Sequence, residues 1–198
     1  VSPGPDPDGA TPLTWEEQQA IKLTWVTTKA ELNEAEQDNI MSAHRWAHRR
    51  RRPDQVLDEA FVCKLHRRMF GEVWRWAGAY RTSARNLGVD HWEIRPCVRD
   101  LLADTTTWIA AGGPAPMPPD EAAVRFHHRL VWIHPFPNGN GRHARLAADL
   151  LVVSLDQPEF SWGRVSLVSR SETRDRYIAA LQAADAHDIG PLLAFARS

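Results

Sequence analysis

The chain has 198 residues, 43% of them hydrophobic, and a formal net charge of −1. That length suits one domain with a proper core, and the near-neutral charge gives no electrostatic case for direct binding of nucleic acid or an anionic membrane. Cys63 and Cys97 form neither a metal spacing nor a disulfide framework, and read as reduced thiols of a cytoplasmic protein. No apolar run reaches the length of a membrane span and the first residues lack a signal-peptide core, so neither an anchor nor export is expected.

In chain order, residues 1–12 are rich in Pro, Gly and Asp and are expected to be a disordered tail before a domain spanning 13–198. Thr14 to Leu23 predicts a short helix, capped by Thr14 with Glu17 three residues on. Thr28 to Arg49 predicts a longer helix with Leu32, Ala35, Ile40, Ala43 and Ala47 on one face. The basic run Arg49 to Arg52 reads as its solvated C-terminus. Asp58 to Phe70 is a third helix, striped by Phe61, Leu65 and Met69. Thr82 to Ile94 breaks the period. Turn residues at Asn86 to His91, with Trp92 and Ile94 alternating, predict a short β-hairpin there. Helices follow at Pro96 to Ala111, Pro119 to His134, Arg142 to Val153, Ser171 to Ala184 and Ile189 to Ala196. The fold class expected is all-α with one short β-hairpin.

The chemistry concentrates in His134-Pro135-Phe136-Pro137-Asn138-Gly139-Asn140-Gly141-Arg142-His143-Ala144-Arg145. One helix ends at the histidine and another begins after the glycines. The first N–H groups of a helix lack intrahelical partners and its dipole is positive, so this turn favours an anion. Gly139 and Gly141 are expected to let the backbone approach closely and to permit positive φ. Arg142 and Arg145, three residues apart, are expected on one side of the first turn. The local reading is a polyphosphate site with a histidine at its edge. The pattern G-x-G-x-x-A also fits Gly139 to Ala144, but a dinucleotide fold needs a preceding strand, and the residues before it are helical.

The same stretch resembles the signature of the Fic family, His-Pro-Phe-x-(Asp/Glu)-Gly-Asn-Gly-Arg-x-x-Arg, matching eight of its nine fixed positions. The departure is Asn138, where the family carries an acid. Leu65 to Gly71 and Trp74 to Thr82 also resemble the family's approach to its flap, so the likeness runs from about Thr27 to about Ala184. Within the family the chain looks closest to the branch called mobile mystery protein B.

The resemblance implies a protein adenylyltransferase that moves AMP from ATP to a Ser, Thr or Tyr hydroxyl of a target protein. His134 would be the catalytic base, on a helix end where its imidazole faces solvent. Asn138, Gly139, Asn140, Gly141, Arg142 and Arg145 would hold the nucleotide, with the Asn140 amide and the arginines on its phosphates. Mg²⁺ would sit at Asn138, where a neutral amide in place of the acid leaves two outcomes. The metal binds more weakly, through phosphates and water, or the nucleotide or reaction has changed. Gly141, where the phosphotransferase branch has lysine, favours AMP transfer. The hairpin at Asn86 to Arg95 would dock the target by strand addition. Glu31, in Thr27-x-x-x-Glu31-Leu32 on a helix over about 27–49, would be inhibitory by pairing with Arg145. The same residues also make a capping box. The branch further implies a DNA-binding protein encoded nearby. Two alternatives stay open: a catalytically weak or inactive nucleotide-binding module, and transfer of another phosphate-linked group.

Overall fold

The computed structural model describes residues 15, 19–47, 52–163 and 170–198. The expected tail at 1–12, the Thr14–Glu17 cap and Arg49 to Arg51 of the basic run lie outside them. Among the described residues the architecture is helical: α1 (Lys29–Ala47), α2 (Pro53–Val56), α3 (Glu59–Phe70), α4 (Ile94–Ile109), α5 (Pro119–Ile133), α6 (Asn140–Ser154), α7 (Arg170–Asp185) and α8 (Gly190–Arg197).

The helix boundaries follow from local chemistry. Asp58 caps α3 by accepting a hydrogen bond from the Phe61 amide at 3.0 Å. Pro119 stands at the first turn of α5, where the missing N–H would have had no partner, and Asp120 and Glu121 complement the dipole. Helix α4 begins at Ile94, two residues before the expected Pro96. A proline in a helix's first turn removes no intrahelical bond, so Pro96 does not set the boundary.

Helix α6 is the centre of the molecule. Ala144, Ala147, Ala148, Leu151 and Val152 are buried, and the alanines let α5 and α3 approach closely on either side. Phe126, Leu130 and Ile133 of α5 and Leu65, Met69 and Phe70 of α3 belong to the same buried core. Helix α1 packs on α3, and α4 on the outer side of α5. The C-terminal helix is locked to the start of α5 by the Arg197 guanidinium, which bonds both carboxylate oxygens of Asp120 and lies 4.2 Å from the centre of the Phe160 ring. None of the described helices is long and apolar enough to cross a membrane.

Two expectations about extended structure are corrected. The hairpin at 82–94 is absent: residues 81–93 form irregular turns, with Ile94 buried as the first residue of α4. Carbonyls that a strand ladder would use are held by the Arg81 side chain, at Ser83 (2.9 Å) and Val89. The expected helix through Leu23 also fails at its end. Ile21 forms an isolated antiparallel bridge with Trp74, fixed by Lys22 N–H to Val73 O at 2.8 Å and Arg75 N–H to Ala20 O at 2.9 Å.

Candidate active site

Helix α5 stops because His134 turns into the left-handed region, with φ 54° and ψ 58°, and Pro135 follows it. Such a conformation costs a non-glycine residue about 1–2 kcal/mol, so the surroundings must hold it. The imidazole does not face solvent as expected: His134 is only 9% exposed. Burial pushes its pKa down to about 4, with the Arg81 and Arg85 charges acting in the same direction and a hydrogen bond to the Val131 carbonyl opposing them. At neutral pH the ring is uncharged, which leaves a nitrogen able to accept a proton.

The loop after it is built on an aromatic floor. Phe136 is fully buried and stacks on the His66 ring, centroids 3.8 Å apart. His66 has a fixed tautomer, because its Nδ1 accepts from the Gly78 amide at 3.0 Å while Nε2 donates to the Asn138 carbonyl at 3.0 Å. Burial holds it well below the usual histidine range. Sequence reasoning gave His66 no role. The available signal was a histidine beside Leu65, on the buried stripe of α3.

Asn140 closes the loop. Its Oδ1 accepts from the Phe136 amide at 2.9 Å and its Nδ2 donates to the Phe136 carbonyl at 2.8 Å. The side chain is therefore engaged within the protein, and it is the backbone amide of Asn140 that remains for an anion. Gly139 has φ 79°, and a Cβ there would come within 2.5 Å of the Phe70 ring, so glycine is required. Gly141, by contrast, is helical and does not use positive φ. A Cβ on it would meet only the Tyr177 hydroxyl, at 3.5 Å. The Asn138 side-chain oxygen accepts from the Gly139 amide. Among the described residues no group of three or more His, Cys, Asp and Glu side chains is placed to hold a metal ion.

The two arginines take different partners. Arg142 lies over the Phe70 ring, 4.9 Å from its centroid, and its Nη1 pairs with Glu36 Oε2 at 2.7 Å. The other Glu36 oxygen accepts from Trp74 Nε1, also at 2.7 Å. Arg145 lies over the Tyr177 ring at 4.9 Å and hydrogen-bonds its hydroxyl, which also meets His127 Nε2 at 3.1 Å. Glu31 does not reach Arg145. Its carboxylate accepts from the Thr27 and Thr28 amides at 2.7 and 2.9 Å, while the Thr28 hydroxyl accepts from the Glu31 amide at 3.2 Å. These bonds hold the Glu31 carboxyl below its usual range, the Thr27 amide contributing most. This is the capping box at the start of α1, and the carboxylate that reaches a motif arginine is Glu36.

The arrangement thus sets a neutral, buried histidine beside a helix N-terminus with two arginines in its first two turns. Residues 56–152 match the Fic/DOC family. The chain is 31% identical over 135 residues to protein adenylyltransferase fic-1 of Caenorhabditis briggsae, a match covering 68% of this chain and 25% of that protein. It therefore spans about a quarter of that relative's length. In fold it resembles Fic-1 from C. elegans, with a TM-score of 0.66 and 22% identity over 91% of this chain and 51% of that one. It also resembles BepC of Bartonella tribocorum, solved with bound AMPPNP, with a TM-score of 0.66 and 17% identity over 93% and 97% of the two chains.

Proposed function

Because the chain carries a domain of the Fic/DOC family over residues 56–152, we propose that it transfers AMP from ATP to a Ser, Thr or Tyr hydroxyl of a target protein. The observation that carries this reading is the placement of His134, uncharged and left-handed at the end of α5, one short loop before the N-terminus of α6. The target hydroxyl gives its proton to His134 and its oxygen bonds to the α-phosphorus. The bond from that phosphorus to the bridging oxygen breaks, and pyrophosphate leaves with the electron pair. The amides at the start of α6, with Arg142 and Arg145, hold the phosphates. Loop 81–93, lying against His134, receives the target segment.

The donor set does not fit a protein-held Mg²⁺. Asn138 offers one neutral oxygen, and that oxygen already accepts the Gly139 amide. Magnesium arriving with ATP belongs to the substrate rather than to the protein. This favours a second reading, a nucleotide-binding module with weak chemistry. A lysate incubated with the chain and ATP labelled at the α- or the γ-phosphate separates the readings. Label from the α-position on a protein band supports AMP transfer. Label from the γ-position alone identifies phosphoryl transfer, and binding without label identifies the module.

A further inference from the structure

Arg81 lies outside the motif and yet holds the motif's histidine. Its side chain is buried, 3% exposed, beneath the turn that ends α5. Nε donates to the His134 carbonyl at 2.7 Å, and Nη2 reaches the Ile133 carbonyl at 3.5 Å. The same guanidinium donates to Ser83 O through Nη1 at 2.9 Å and to Val89 O through Nη2. The Arg81 backbone amide adds a bond to Pro135 O at 2.9 Å, and the Val89 amide one to Ile133 O at 3.3 Å.

Every one of these bonds joins loop 81–89 to itself or to residues 133–135. The last carbonyls of a helix lack intrahelical partners and carry its negative dipole end, so a cation there satisfies both needs. A planar fork with donors on three separate nitrogens reaches all four of these carbonyls at once, which a single ammonium nitrogen does not match in geometry. Gly88 completes the contact. With φ 91°, it packs so closely that a Cβ would fall 2.4 Å from His134 Cβ and 2.8 Å from Ile133 O.

We propose that Arg81 is the positioning residue for His134: with Gly88 it couples loop 81–89 to the left-handed turn, so that the loop's order and the place of the base are one state. The proposal rests on reading His134 as the base. Burial of the imidazole follows from it, since the loop that Arg81 folds over the turn is what keeps water away. A base displaced by about 1 Å can lose about a hundredfold in rate.

The test uses the full chain with Arg81→Lys and Gly88→Ala. Lysine keeps the charge but gathers its donors on one nitrogen and loses the fork that spans the four carbonyls; alanine pushes on His134 from the loop side. Folding is followed by circular dichroism, ATP affinity by calorimetry, and the His134 imidazole titration by NMR, alongside kcat and KM for transfer. In both variants His134 should titrate closer to the ordinary histidine value of about 6.5. The kcat should fall about 10- to 100-fold, with ATP affinity within about twofold of the parent. If both variants fold, bind ATP and leave the His134 titration unmoved, the proposal is overturned. Should Arg81→Lys fail to fold, the titration in Gly88→Ala decides, and failure of both to fold would reduce Arg81 to a structural staple. A parent that transfers no AMP would overturn the proposed function alone, because the titration still reads the role of Arg81.

Discussion

Glu36 and Arg142 are 106 residues apart in the chain and 2.7 Å apart in space. The carboxylate is anchored from behind by Trp74 Nε1, so α1 holds the first motif arginine in a fixed place. A triphosphate at the start of α6 would compete with Glu36 for the same guanidinium. A partly screened, charge-assisted bond contributes about 1.5 kcal/mol, or roughly tenfold in an equilibrium. Glu36→Gln is therefore expected to raise ATP affinity by up to about tenfold in calorimetry. Glu31→Gly should instead lower the melting temperature by a few degrees, with ATP affinity unchanged, because it removes a cap. Equal affinities in the parent and Glu36→Gln would show that Arg142 does not address the nucleotide.

His134→Ala should lower transfer by about 10²–10⁴-fold while leaving ATP binding near the parental value, since it removes the base and none of the phosphate donors. The pH profile of the parent gives an independent reading. With a pKa pushed down to about 4, the imidazole is neutral from pH 8 down past pH 5. The acid limb of kcat/KM should then lie near 4. A limb near the ordinary value of about 6.5 would contradict the burial of the ring during transfer as proposed.

Asn138→Asp should keep the loop, because a carboxylate oxygen accepts the Gly139 amide as the amide oxygen does now. It adds a hard, charged donor beside the phosphates. The Mg²⁺ concentration for half-maximal transfer is expected to fall on the order of tenfold, with a higher rate at saturation. Superimposable Mg²⁺ titrations of the two proteins would show that this position does not address a metal.

Gly139 in the loop and Gly141 in the first turn of α6 should respond differently to alanine. At Gly139, positive φ and the Phe70 ring 2.5 Å from the new Cβ predict a loss of about 2–3 kcal/mol in urea unfolding. At Gly141 the backbone is helical and only the Tyr177 hydroxyl is near, so alanine should leave stability unchanged or raise it by under about 1 kcal/mol. Its effect should appear in ATP affinity, through a narrower approach to the anion site.

Acid should unfold the protein through its buried histidines. His143 is completely buried, its Nε2 donating to Val62 O at 3.0 Å, and burial pushes its pKa down to about 4. The unfolded chain binds this proton near pH 6.5 and the folded chain only near 4. The stabilisation is therefore complete above about 6.5 and is lost as pH falls from there to about 4. The single site amounts to about 3 kcal/mol across that window. His66 and His127, held low by burial as well, act in the same direction. Urea midpoints measured between pH 7 and pH 4 check this, and a midpoint independent of pH there would contradict it.

Much of this protein is legible without its structure. The apolar stripe of α3 follows from period alone, with Leu65 and Met69 buried and Phe61 packed against the core, because burial of one helix face is written every three or four residues. The position of the turn between α5 and α6, proposed to hold an anion, is legible too, since a helix end, glycines and arginines lie within one short segment. The Thr28–Glu31 cap is equally local, its bonds running between residues three apart.

What the tertiary structure alone decided is which distant groups meet. The turn residues at 86–91 predicted a hairpin, but the Arg81 fork took carbonyls of the would-be ladder and tied the loop to the end of α5. That same packing lies against His134, whose environment combines the Val131 carbonyl of its own helix with Arg81 and Arg85 of the distant loop. Several carboxylates lie on or near α1, and only the packing of α1 on α3 selects Glu36 as the one that reaches Arg142. Backbone propensity and periodicity act over a few residues, whereas the choice among many chemically equivalent partners is made by how the helices pack.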